Sequence, residues 1–345
     1  RDSHWMYAAT PLLSDYISPN SNFNQEGTAA VGRYHGVGLF GTYDLAGNVR
    51  EWCQNIQSES GNALILGGGW SENPYTYNMI YTQDPFDRSG INGFRCMQYL
   101  EMPDDMESIS GSLPINYRDY SEEQAVDEQT FEVFLRQFSY DKTDFNEELD
   151  LIVSNDEDVT HELITIDAAY GNERLPMYLV LPNNGKPPYQ TVIHFPSTQP
   201  FTSLSDSRSI VESRGLGNYI NKSGRALLIP VYKGALERND GEFEEWFNNM
   251  GSASYKDHMI MWVKDIMRCI DYLETRSDID SDKIAYTGVS LGAATGAIIP
   301  AVEKRIKVAV LTVAGLWHAD IMPEVDQINY LPRVTVPVLM INGRY

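Results

Sequence analysis

The run Thr287-Gly288-Val289-Ser290-Leu291-Gly292 carries the sharpest chemical signal in the chain. It is a Gly-x-Ser-x-Gly pattern behind a short apolar stretch, Ile284 to Thr287, and ahead of small residues that read as a helix. A serine in that context sits at a tight strand-to-helix turn, and its flanking glycines let neighbouring chain approach without a Cβ clash. A serine hydroxyl is a poor nucleophile near neutral pH and needs a base to take its proton. The tetrahedral intermediate of acyl transfer needs donors for its oxyanion, and the N–H of Leu291, at the helix start, is one candidate. The loop after His194-Phe195-Pro196 offers a second donor at Ser197 or Thr198, unless it is an ordinary polar turn. The bare pattern also occurs in plain loops, so the flanks carry the reading.

A second constellation lies in Tyr43-Asp44-Leu45-Ala46-Gly47-Asn48-Val49-Arg50-Glu51-Trp52. Two carboxylates bracket a tight turn with free carbonyls, hard oxygen groups that suit calcium. The alternative is a turn whose acids cap local N–H groups.

The elements that must position these groups differ between the two ends of the chain. Residues 1 to about 100 are rich in Gly, Asn, Tyr and Trp and show few periodic segments, which predicts loops and short strands. From Glu101 to Glu128 nine acidic residues accompany one basic residue, with Pro103, Gly111 and Pro114, a solvated connector. The spacing of Phe131, Phe134, Leu135 and Phe138 predicts a helix over about 122–138. Beyond it, Glu162–Asp167 and Met177–Leu181 read as a β pair. Thr191–Phe195, Ala226–Val231, the strand before Ser290, Val308–Val313 and Val336–Ile341 read as apolar strands, with a helical stripe over Met259–Leu273. Apolar strands alternating with helices predict a mostly parallel sheet covered on both faces.

A length of 345 residues suits two domains. Acidic residues outnumber basic ones 48 to 26, and the formal charge of -22 disfavours nucleic acid and anionic lipid as partners. The three cysteines, Cys53, Cys96 and Cys269, lie far apart, which argues against a disulfide framework or a zinc site. That usage is compatible with a reducing compartment, and a cytoplasmic location is the expectation. No stretch approaches the roughly 20 apolar residues of a membrane span. The chain opens on Arg1, so its true start is expected to lie elsewhere.

From Leu149 onward the chain resembles an α/β-hydrolase of the esterase and dienelactone-hydrolase type. The matching pieces are Ile164-Thr165-Ile166-Asp167-Ala168-Ala169-Tyr170-Gly171, His194-Phe195-Pro196, Pro230-Val231-Tyr232-Lys233-Gly234, the serine turn, and Val336 to Tyr345. The resemblance implies a Ser290 nucleophile, oxyanion donors at Leu291 and at Ser197 or Thr198, and a triad running Ser, Asp or Glu, then His. Asp320, Glu324 and Asp326 precede the last strand, so the acid and its histidine are expected after Tyr345. His318 is the one histidine beyond Ser290 and fits the order poorly. His194 reads as a packed strand residue and His258 as a surface residue opening the long helix. Between Tyr232 and Asp257, a loop with Trp246 and Phe247 either covers the site or is a surface excursion.

Residues 20 to 100 resemble the C-terminal part of the formylglycine-generating enzyme (sulfatase-modifying factor) domain. The resemblance rests on the 43–52 segment, Gly67-Gly68-Gly69-Trp70-Ser71 and Gly93-Phe94-Arg95-Cys96. It implies calcium held by the side chains of Asp44 and Glu51 and the carbonyls of Gly47 and Val49. It also implies an irregular α+β, C-type-lectin-like fold. The family's oxidase needs a reactive cysteine pair between Trp70 and Phe94, where this chain has none; Glu72 and Tyr77 stand near those places. Cys53 and Cys96 read as buried apolar residues.

The expected organisation is therefore a partial sulfatase-modifying-factor-like domain over 1–100, an acidic linker and helix over 101–148, and a hydrolase domain over 149–345. The expected function is a serine hydrolase acting on a small carboxylic ester, without a cofactor of its own. The pairing resembles bacterial multidomain proteins in which these domains follow a serine/threonine kinase. The alternatives are a non-catalytic interaction module of such a kinase-linked protein and, least favoured, a formylglycine-type oxidase.

Overall fold

The computed structural model describes residues 2–9, 14–58, 60–101, 111–112, 118–152, 158–202, 206–208, 215–317 and 319–343. The chain forms two compact units, Arg1–Asn116 and Tyr117–Tyr345. No helix among the described residues is long and apolar enough to cross a membrane.

The first unit carries little regular structure, as its glycine-rich sequence leads one to expect. Strands β1 (Arg50–Ile56), β2 (Ala63–Leu66), β3 (Tyr81–Gln83) and β4 (Asn92–Gly93) form a sheet in the order β3-β2-β1-β4. β2 is buried at all four positions. Its side chains meet Trp5, Phe23, Leu45 and Tyr77 in a small core.

The second unit is a mixed α/β layer structure. Its strands are β5 (Glu148–Ile152), β6 (Val159–Asp167), β7 (Arg174–Pro182), β8 (Tyr189–Phe195), β9 (Ala226–Pro230), β10 (Ile279–Val289), β11 (Ile306–Thr312) and β12 (Val338–Ile341). The sheet order is β12-β11-β10-β8-β9-β7-β6-β5. β8 to β12 pair in parallel, whereas β5, β6 and β7 form an antiparallel wing joined to β9. This is the mostly parallel sheet that the apolar runs led one to expect. The expected β pair is the β6–β7 hairpin, in register from Val159↔Pro182 to Asp167↔Arg174.

The long helix spans Ala253–Leu273, longer than its apolar stripe, because Ser252 caps it by accepting the Tyr255 N–H. The helix expected over 122–138 is shorter, Glu128–Arg136, because Asp127 caps it through the Thr130 N–H. The residues ahead of it are held in other ways. Arg118 pairs with Glu123 and Asp326, and the Tyr120 hydroxyl donates to the Trp317 carbonyl at 2.7 Å.

Coverage of the sheet differs from expectation at one edge. β9 is buried at all five positions, but Val338, Leu339, Met340 and Ile341 of β12 are each about half exposed. β12 is the edge strand of the sheet among the described residues, paired with β11.

Candidate active site

β10 runs between β8 and β11, and the chain leaves it through Ser290 at φ 52° and ψ −107° into the helix Leu291–Thr295. For a residue with a Cβ, a conformation this sparsely populated costs roughly 1–3 kcal/mol and persists only where surroundings enforce it. Three hydrogen bonds enforce it here. Ser290 N–H donates to the Thr312 carbonyl at 3.0 Å, Ala294 N–H to the Ser290 carbonyl at 2.9 Å, and Gly292 N–H to the Pro196 carbonyl at 3.1 Å. The two glycines of the pattern are steric necessities. A Cβ at 288 would lie 2.1 Å from the Gly292 carbonyl oxygen, and one at 292 would lie 2.2 Å from that of Phe195.

Ser290 is half-buried, and among the described residues no group hydrogen-bonds its hydroxyl. As the first helical residue, Leu291 has an N–H with no carbonyl inside the helix to receive it. The Pro196–Gly292 bond draws the next residues, Ser197 and Thr198, to the same turn. Both are half-buried, and the Thr198 carbonyl accepts the Phe201 N–H at 3.0 Å. The structure thus brings Ser290, Leu291 and the 197–198 loop to one corner at the carboxyl ends of β8 and β10. Gln327 pins the segment after β11 to that corner, donating to the Ala294 carbonyl at 2.7 Å and accepting the Trp317 N–H at 2.9 Å. His318 and Tyr345 lie outside the described residues.

The two histidines ahead of Ser290 behave differently from one another. His194 lies on β8 opposite Thr287, as a packed strand residue. Burial pushes its pKa down to about 4, against a backbone hydrogen bond with Thr287. His258 is not on the surface as expected; it is only 2% exposed. It lies one helical turn before Trp262, on the face that packs inward. Its Nδ1 faces the Ser254 carbonyl at 2.8 Å and its Nε2 faces Asp240 Oδ2 at 3.0 Å. The 232–257 loop is no surface excursion at Trp246, which is fully buried against Phe201, Trp262 and His258.

A buried charge network under that loop escaped the sequence reading. Asp265, fully buried, accepts from the Tyr170 hydroxyl at 2.8 Å, Arg238 Nη1 at 2.7 Å and the Lys233 N–H at 3.1 Å. Burial pushes its carboxyl up, and Arg238 opposes that shift. Lys233 Nζ pairs with Glu173 at 3.0 Å and lies 3.6 Å from Asp240. One signal was available: an acid three residues after Trp262 falls on the apolar face of the helix.

In the first unit, the two carboxylates assigned to calcium are engaged. Both Glu51 oxygens accept from Arg95, at 2.7 to 3.2 Å, and Oε2 also accepts the Trp5 indole N–H at 3.0 Å. Asp44 accepts the Gly32 N–H at 2.9 Å. The N–H groups of Gly47 and Asn48 donate to the Gly67 and Asn22 carbonyls, which fixes the turn without using the Gly47 carbonyl. A guanidinium already seated on Glu51 is the wrong neighbour for a divalent cation, so Glu51 as arranged does not fit a calcium ligand. The positions near the absent cysteines are engaged too. Glu72 pairs with Arg50 and accepts the Gly69 N–H, and Tyr77 is buried with its hydroxyl on the Ala9 carbonyl. Cys53 is buried as expected, but Cys96 is exposed, following β4 where Phe94 is also open to solvent.

Residues 3–100 match the sulfatase-modifying factor enzyme 1-like domain. The chain is also similar to the "Chaperone protein LppX" of Paenibacillus barcinonensis, 35% identical over 94 residues that make up 26% of this chain. It spans about a third of the length of that curated relative (33%). Among solved structures, acetyl xylan esterase 1 from Thermoanaerobacterium sp. JW/SL YS485 overlaps 63% of this chain and 79% of its own at 13% identity and a TM-score of 0.49. An acetyl xylan esterase from Paenibacillus sp. R4 overlaps 64% and 73% at 14% identity and a TM-score of 0.40. A glucuronoyl esterase from Solibacter usitatus overlaps 59% and 64% at 14% identity and a TM-score of 0.39. The activities in those names belong to those proteins.

Proposed function

We propose that the second unit is a serine hydrolase that cleaves a small carboxylic ester through an acyl-enzyme. The observation that carries this is Ser290, held in a left-handed turn at the carboxyl edge of a parallel sheet, half-buried and with an unengaged hydroxyl. In this reading Ser290 attacks the acyl carbon, and the N–H groups of Leu291 and of Ser197 or Thr198 receive the oxyanion. No base or acid for Ser290 is assigned among the described residues. The first unit serves as a scaffold or recognition module without oxidase activity, because its cysteine positions hold Glu72 and Tyr77 engaged in packing bonds.

Turnover of p-nitrophenyl acetate by the full-length protein tests the proposal. Activity that disappears in Ser290→Ala supports it, and activity that survives that substitution refutes it. A second reading, an interaction module with a relic serine, is favoured by one observation: among the described residues no base bonds Ser290. That reading expects a folded, inert wild type.

A further inference from the structure

The strained turn at Ser290 has a brace beneath it. The helix after Ser290 is only five residues long, too short to hold its own geometry. What fixes it is Gly292, two residues past the serine, held through both of its backbone polar groups. Its N–H donates to the Pro196 carbonyl at 3.1 Å, tying it to the end of β8. Its carbonyl receives the Tyr286 hydroxyl at 2.5 Å and the Thr295 hydroxyl at 2.9 Å, besides the Gly296 N–H at 3.2 Å. Tyr286 and Thr295 lie 2.9 Å apart at their oxygens, and both are fully buried. Tyr286 sits in mid-sheet, paired with Ile193 and Ala309, so its ring cannot shift with the helix.

The carbonyl of Gly292 would remain satisfied without Tyr286, since Thr295 and Gly296 both still reach it. The phenol therefore adds orientation rather than meeting a need of the buried carbonyl. Burial keeps that phenol protonated well above its ordinary range, so it acts as a donor. We propose that Tyr286, with Thr295, is a positioning residue: it clamps the Gly292 carbonyl from the sheet side. The clamp sets the angle between the Leu291 N–H and the 197–198 loop that shares Pro196 with it. The two halves of the oxyanion site then meet at one fixed joint. This rests on the reading of Ser290 as the nucleophile, but the brace itself can be read without catalysis.

The test compares wild type, Tyr286→Phe, Thr295→Val and Thr295→Ser in the full-length protein. It uses p-nitrophenyl acetate kinetics and hydrogen exchange over residues 287–297. A misaligned donor costs less than a deleted one, so Tyr286→Phe is expected to lower kcat about 10- to 30-fold with KM within about twofold. Thr295→Val lowers kcat about threefold to fivefold, and Thr295→Ser restores wild-type behaviour. Exchange of the amides at 291–296 rises about tenfold in Tyr286→Phe, while the central strands stay protected. The proposal is overturned if Tyr286→Phe stays within about twofold of wild type in both readouts, or if its kcat falls only in proportion to lost folded protein. Should the wild type prove inert, Ser290 fails as the nucleophile and exchange alone decides the brace.

Discussion

Two tight turns in this protein, at 44–51 and at 290, use the same backbone device to opposite ends. Asp44, Gly47 and Asn48 have φ between 57° and 70°, and Ser290 has φ 52°. In the first turn nearly every polar side group is engaged. Glu51 holds Arg95 and Trp5, Asp44 holds Gly32, and Asn48 exchanges bonds with Asn22 and Ala29. In the second turn the backbone is pinned on three sides while the hydroxyl is left open. Strain whose side chain is fully bonded suits a scaffold, and strain that presents an unbonded group suits the nucleophile proposed at Ser290.

The comparison can be broken first at its reactive end. Replacing Ser290 by Ala is expected to lower ester turnover at least about 1,000-fold while leaving the thermal midpoint unchanged or higher. Steady-state kinetics beside calorimetry read both effects; retained turnover would remove the distinction between the turns.

The scaffold end should respond in stability instead. Glu51→Ala leaves the Trp5 N–H and the half-exposed Arg95 without their acceptor, and a loss of about 2 kcal/mol is expected in urea unfolding of the first unit. A change under about 0.5 kcal/mol would mean the bonds of Glu51 hold nothing together.

Acid sharpens the contrast inside the second unit. The folded pKa of His194 lies near 4, below its ordinary 6.5, so the unfolded chain binds the proton more readily between those values. Stability is therefore present above about pH 6.5 and is lost as pH falls toward 4, by about 2 kcal/mol between pH 7 and pH 5. Urea titrations at the two pH values should show that slope, flattened in His194→Asn. Carboxylates add their own acid dependence, so the difference between the two proteins is the quantity to read.

The smallest expected effect concerns calcium. With Arg95 on Glu51, millimolar calcium should leave the melting temperature of the first unit within about 1 °C. A calcium-dependent rise of several degrees would show that Arg95 yields its place and that the turn at 44–51 is a metal site after all.

The tight turn at Ser290 was legible because its logic is local. Gly288 and Gly292 sit within a few residues of Ser290, and the steric demand that selects them acts across that short span. The parallel strands were legible as apolar runs, most plainly β9, whose burial on both faces erases the alternation. What stayed hidden was built from distant partners. Tyr170 meets Asp265 across 95 positions, and Arg238 meets it across 27, so no spacing rule joins them. His258 was misjudged for a related reason. Its inward face follows from Trp262 four residues on, but its partner Asp240 lies on a loop whose path the sequence does not fix. Cys96 was expected to be buried from its type alone, and the short strand before it leaves it open.

The most direct test of the account is covalent. The full-length protein, incubated with a fluorophosphonate and digested, should yield one phosphonylated peptide carrying the adduct on Ser290, absent in Ser290→Ala. Folded protein that takes up no probe at Ser290, or takes it up on another residue, would contradict the claim that this turn presents a nucleophile.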